Sequence, residues 1–62
     1  MSQTMQVLAY LKTGKSLTPL QALRRWGIFR LAARVCDLRD GGYDVRCSIV
    51  RRGGKRYAEY RL

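Results

Sequence analysis

A chain of 62 residues makes one small domain that buries only about 60% of the surface its unfolded form exposes, which leaves no room for an active-site cleft of ordinary size. Thirteen Lys and Arg against four Asp and Glu give a formal charge of +9, an excess that like-charge repulsion disfavours in a compact state and that calls for a polyanionic partner. No histidine accompanies Cys36 and Cys47, so a zinc ligand set and a CxxC redox spacing are both missing, and no apolar run approaches the roughly 20 residues that cross a bilayer.

From about Gln3 to Thr13, Val7, Leu8 and Leu11 recur at helical spacing, with Met5 and Tyr10 added to the stripe, which predicts a first amphipathic helix ended by Gly14. Ser16 and Leu17 suit a short bridging strand. Thr18-Pro19-Leu20-Gln21 then has the form of a capping box, with Thr18 at the N-cap, Pro19 where its missing N–H costs nothing, and Gln21 reaching back. In the helix it opens, Leu20, Leu23 and Trp26, with Ala22 beside them, form the expected buried side; Gln21, Arg24 and Arg25 face outward, and Gly27 stops the helix. Ile28 and Phe29 are expected to pin a third helix, roughly Phe29 to Asp40, whose core stripe is Leu31, Val35 and Leu38, with Ala32 tucked in beside it. The opposite side of that helix presents Arg30, Ala33, Arg34 and Asp37.

After Gly41-Gly42 the pattern changes to period two. Val45, Cys47 and Ile49 alternate with Asp44, Arg46 and Ser48, and Ala58, Tyr60 and Leu62 alternate with Tyr57, Glu59 and Arg61. These runs make a hairpin whose turn carries Gly53 and Gly54 and whose flanks carry Arg51, Arg52, Lys55 and Arg56. Cys36 on a helix and Cys47 on a strand read as small buried thiols, and a reducing cytosol disfavours a disulfide between them. Three helices, a tight turn between the second and third, and a closing hairpin give an α+β fold of winged helix-turn-helix type, a single domain over residues 1–62, with a two-stranded β-hairpin wing.

A basic helix on a compact support suits the major groove of DNA. Arg30 and Arg34, four apart, would share one face, and a guanidinium laid against a guanine edge contributes about 1 to 3 kcal/mol of discrimination. Asp37 would either accept from a cytosine amino group or pair with Arg34 along the helix; Arg39, off this face, would meet phosphate or solvent. In the wing, Gly53 and Gly54 let the backbone approach a phosphate or the minor groove while Arg51, Arg52, Lys55 and Arg56 supply charge, although an ordinary hairpin with solvated cations has the same composition. Thr18, at a helix N-terminus, combines capping with a candidate phosphate contact, and Arg24 and Arg25 are candidate backbone contacts.

The run LTPLQALRRWGIFRLAARVCDLRDGGYDV, with the closing RYAEYRL, resembles a small helix-turn-helix family of phages and other mobile elements whose members read approximately LTplEAl..fgi.RLaaRI.dLR..Gy.I and end in Y.L. The likeness spans Leu17 to Val45 and Arg56 to Leu62. A looser similarity to winged-helix repressors lies in Leu38-Arg39-Asp40-Gly41-Gly42. Two departures stand out: Gln21 replaces a frequent Glu and keeps the capping role, and Gly41 replaces a larger residue. The resemblance implies a DNA-binding winged helix, in keeping with a phage or mobile-element transcriptional regulator or architectural factor.

The reading that results is a cytoplasmic protein, nucleoid-associated when bound, that takes double-stranded DNA as partner, alone or as a homodimer or cooperative neighbours, with no membrane, cofactor, metal or small-molecule ligand. Catalysis is not expected, because the acids Asp37, Asp40, Asp44 and Glu59 each have arginines nearby and no nucleophile turn or phosphate-cradling glycine loop is present. RNA is disfavoured because the hairpin lacks the paired aromatics of a stacking sheet. A competing reading is a basic winged helix that occupies an acidic surface of a host protein and blocks its nucleic-acid path, with Tyr57, Tyr10 and Trp26 as candidate contacts.

Overall fold

A computed structural model describes residues 2–62. Its elements run α1 (Gln3–Leu11), α2 (Pro19–Trp26), α3 (Leu31–Asp40), β1 (Arg46–Arg52) and β2 (Lys55–Arg61), the expected order of three helices and an antiparallel hairpin. Ser2 caps α1 by accepting the Met5 amide. At α2 the capping box forms in both directions: Thr18 Oγ accepts from the Gln21 amide at 3.2 Å, and the Gln21 side chain accepts from the Thr18 amide at 3.0 Å.

The turn between α2 and α3 depends on Gly27, the C-cap of α2, which adopts φ +69° and donates to the Leu23 carbonyl, while the Ile28 amide donates to the Ala22 carbonyl. A β-carbon there would meet nothing within 4 Å, so the requirement is conformational and not steric. Gly27→Ala is expected to lower stability by about 1–2 kcal/mol, the cost of a left-handed L-residue, measured as a fall in the urea midpoint at unchanged slope.

Val7, Leu8, Leu11, Leu17, Ala22, Ile28, Leu31, Val35, Leu38, Val45 and Tyr60 make one buried cluster. Burial of the α1 and α3 stripes agrees with their sequence spacing. On α1, however, Met5 is exposed and Tyr10 half-buried, with Tyr10 meeting Trp26 edge to face at 5.7 Å between ring centroids.

Helix α2 departs further from expectation. Only Ala22 is fully buried, Trp26 packs partly against the core, and Leu20 and Leu23 are exposed. Three-residue steps drift backward by about 60° each around a helix, so Leu20 and Trp26 end about 120° apart and cannot both face one core. The small Ala22 centres the buried side instead. In the turn that follows, Ile28 takes the inward position at 1% exposure, and its neighbour Phe29, expected to pin α3, stands 84% exposed.

The hairpin rests on the helices through β2. Leu17 and Tyr60 form an isolated bridge with reciprocal backbone bonds of 2.8 Å, as the bridging-strand reading of Ser16-Leu17 anticipates. Tyr60 is buried and Ala58 packs on the core, whereas β1 has no buried residue. That outer placement explains why Cys47 and Ile49 are exposed despite their alternation; Cys36, on the solvent side of α3, is exposed too, so neither cysteine is the buried thiol that the sequence suggests. Burial raises the Tyr60 phenol above its usual 10.0, with Cys47 adding to the rise and Arg39 opposing it.

Candidate nucleic-acid interface

Helix α3 begins at Leu31, so Arg30 is its N-cap and not a residue of its first turn, with φ −119° and ψ 65°. The four-residue spacing therefore does not place Arg30 and Arg34 on one helical face. Arg30 is exposed and has no acidic partner among the described residues. Its carbonyl accepts from the Ala33 and Arg34 amides, so the backbone that starts the helix also fixes where this guanidinium emerges.

Arg34 is placed differently. Its side chain keeps 33% exposure, and Nε lies shielded from solvent 3.2 Å from Asp37 Oδ2, at an angle too poor for a hydrogen bond. The same carboxylate oxygen accepts from Thr4 Oγ1 on α1 at 3.3 Å. Arg34, Asp37 and Thr4 thus link α3 to α1 along one flank of the core, and the intrahelical pair contributes only a few tenths of a kcal/mol. Arg39 is likewise engaged: its Nε donates to the Val45 carbonyl at 3.0 Å, tying the end of α3 to the segment entering β1, where the sequence suggested phosphate or solvent.

The remaining outward surface of α3 is neither basic nor uniform. Ala32, Cys36, Asp37 and Asp40 are exposed and Ala33 is half-buried, so Ala32, expected beside the core, is on the solvent side. Both acids lie in the C-terminal half and none in the first turn. The N-terminal end of α3, next to Arg30, is the end without an acid.

The wing concentrates the charge. β1 and β2 pair with Arg46 opposite Arg61, Arg51 opposite Arg56 and Arg52 opposite Lys55, and the connecting Gly53 and Gly54 take φ +54° and +78°. Both positive angles match the two-residue turn that suits strand twist, which only small or flexible residues adopt readily. Strand pairing runs up to this turn, so the four cations are held on a ladder and not on a loose loop.

Cations directly opposite one another repel. At the hairpin's base the repulsion is offset, since Arg46 lies 3.5 Å from Asp44 and Arg61 is 2.9 Å from Glu59. At the tip no acid pairs with Arg51, Arg52, Lys55 or Arg56 among the described residues.

Between the wing and α2 lies a groove of about 630 Å³ lined by Thr18, Pro19, Leu20, Gln21, Lys55, Arg56 and Tyr57. It brings Thr18 together with two of the wing cations, which sequence separation concealed. Of the α2 cations, Arg24 is exposed without an ion pair among the described residues, whereas Arg25 stacks over the Tyr10 ring at 4.9 Å and so is turned toward α1. Lys15 lies over the same ring at 5.9 Å, and Lys12 over Tyr43 at 5.7 Å.

Three helices with a left-handed glycine turn before the third, followed by a two-stranded antiparallel wing, define the winged helix-turn-helix class. A family model described as a winged helix-turn-helix domain matches residues 2–62, and the chain belongs to that family. No curated protein and no solved structure matches the chain. Within the described residues, no helix is long and apolar enough to cross a membrane.

Proposed function

We propose that this protein binds double-stranded DNA in a sequence-dependent way, with the N-terminal part of α3 directed into the major groove and the 51–56 wing on the phosphate backbone or in the minor groove. The observation that carries the reading is the wing tip, where Arg51 faces Arg56 and Arg52 faces Lys55 with no acid among the described residues to relieve them. Such an arrangement costs folding free energy in isolation and becomes favourable beside phosphates. Membership of the winged helix-turn-helix family supports the same class of partner.

In this reading Arg30 makes the base contact, Ala33 lies against the groove floor, and Arg34 and Asp37 hold α3 against α1. Thr18, Arg24, Lys55 and Arg56 meet the backbone around the groove beside α2, with Arg25 a peripheral contact. A transcriptional regulator or architectural factor of a phage or mobile element, acting in the cytoplasm as one domain, fits a module of this size. Because one such module covers little DNA, specificity is raised by a second copy or by cooperative neighbours on the site.

The test is a titration against duplexes recovered from a random pool, at several salt concentrations. Arg30→Ala is expected to flatten the preference among sequences by about 1–3 kcal/mol, whereas Arg52→Ala should weaken all duplexes alike and lower the salt slope by about 0.9. Absence of duplex binding at low salt overturns the proposal and leaves the acidic-protein reading in its place.

A further inference from the structure

Phe29, the chain's one phenylalanine, is 84% exposed immediately before the N-cap of α3. It lies in a turn whose other apolar residue, Ile28, fills the core, so the exposure is not relieved by the fold itself. Leaving a phenylalanine in water forgoes a stabilisation of about 1.5–3 kcal/mol. Next to it come Arg30 and then, on the first turn of α3, exposed Ala32 and half-buried Ala33. Arg30 is the sole hydrogen-bonding side chain among these four outward residues, and no acid occupies the first turn.

The edges of base pairs in the major groove present nitrogen and oxygen donors and acceptors, with one exception, the 5-methyl group of thymine. Phenylalanine and alanine have no means of reading the former and are the chemical complement of the latter. Recognition helices commonly address base edges with their N-terminal residues, where Phe29, Ala32 and Ala33 stand here. The acids Asp37 and Asp40 lie further along α3, so its acid-free end is the one beside Phe29.

We infer that Phe29, supported by Ala32 and Ala33, reads thymine methyl groups in the major groove beside the base contacted by Arg30, so that the preferred site is thymine-bearing. The inference rests on the DNA-binding reading above and adds to it the chemistry that is read. It also makes Phe29 a specificity-determining residue, a role the sequence hides by offering two adjacent apolar residues of which only one can point inward.

Duplexes recovered by the protein from a random pool, resynthesised with deoxyuridine in place of thymidine, provide the test. The exchange removes the methyl and leaves the minor-groove pattern and all phosphates unchanged. Affinity is expected to fall by about fourfold for each methyl that the protein covers. Phe29→Ala should bind thymine and uracil duplexes with nearly equal strength while keeping the wild-type circular dichroism spectrum and salt slope, since the side chain contacts little of the fold. Equal binding of both duplexes by the wild-type protein overturns the inference and leaves DNA binding standing; so does a Phe29→Ala variant that still separates them by the full factor. Failure to bind either duplex overturns both readings together.

Discussion

Replacing Arg51, Arg52, Lys55 and Arg56 together by glutamine is expected to weaken duplex binding about a thousandfold near 0.15 M salt and at the same time to stabilise the folded protein. The first figure follows from counterion release, with a slope of about 0.9 per phosphate neutralised, so that four contacts contribute about 3.6 to the dependence of log K on log salt. The second follows from the strand register. Arg51 opposite Arg56 and Arg52 opposite Lys55 are two repulsive cross-strand pairs, and removing both should gain on the order of 1 kcal/mol. For a domain of this size that is a rise in Tm of about 4–8 °C.

The opposed signs make the experiment decisive. A wing whose cations were merely solvated would gain stability on substitution and lose no affinity; a wing important only for the fold would lose both. The same variant measured at several salt concentrations should show the slope flattened as well as the affinity lowered. An unchanged slope would place the phosphate contacts elsewhere, on cations outside the wing such as Arg24. Single substitutions at these positions should each remove about one quarter of the wing's contribution to the slope, because the four side chains are held in register by one ladder.

The charge excess at the wing and the class of fold are legible in the sequence for the same reason: both are written in local patterns. The Thr18–Gln21 capping box, the Gly27 turn and the Gly53-Gly54 turn each depend on residues a few positions apart, and each forms as its residue types dictate. The stripe of Leu31, Val35 and Leu38 is equally local and equally reliable. What the sequence conceals is rotation and competition. Nothing in the run from Leu20 to Trp26 says that Ala22 will be the residue at the centre of the buried side, because that is decided by how closely neighbouring elements approach.

The same holds at the candidate interface. A start to α3 only two residues later than the spacing suggested, at Leu31 and not Phe29, moves Arg30 off the helix and dissolves its pairing with Arg34. Arg34 and Arg39 looked available because the sequence lists cations without their partners, whereas the fold supplies Asp37 to one and the Val45 carbonyl to the other. The basic character expected of the α3 face therefore resides mainly in Arg30 and in the wing. In the proposed reading affinity falls to the hairpin and discrimination to one short turn, a division that follows from tertiary contacts and not from composition.

Leu17→Ala is expected to have the largest effect on stability of any single substitution in the chain. Leu17 is fully buried, at 0% exposure, and its backbone exchanges two 2.8 Å hydrogen bonds with Tyr60. Truncating a buried leucine costs about 2–5 kcal/mol, against a total of about 3–9 kcal/mol for a chain this long. The variant should accordingly be partly unfolded at 37 °C, with Tm lowered by well over 10 °C in a thermal melt. Leu17→Met, which keeps the volume, should cost less than about 1.5 kcal/mol and separates cavity formation from any loss of backbone pairing. Position matters as much as volume, because Leu17 joins the helices to the strand that carries half of the wing. If that bridge anchors the hairpin, amide exchange in Leu17→Ala should accelerate first at Tyr60, whose N–H donates to the Leu17 carbonyl, and only later in α1 and α3. Uniform acceleration in all elements would instead show that helices and wing unfold as one unit, and a change in stability within about 0.5 kcal/mol would remove Leu17 from the core altogether.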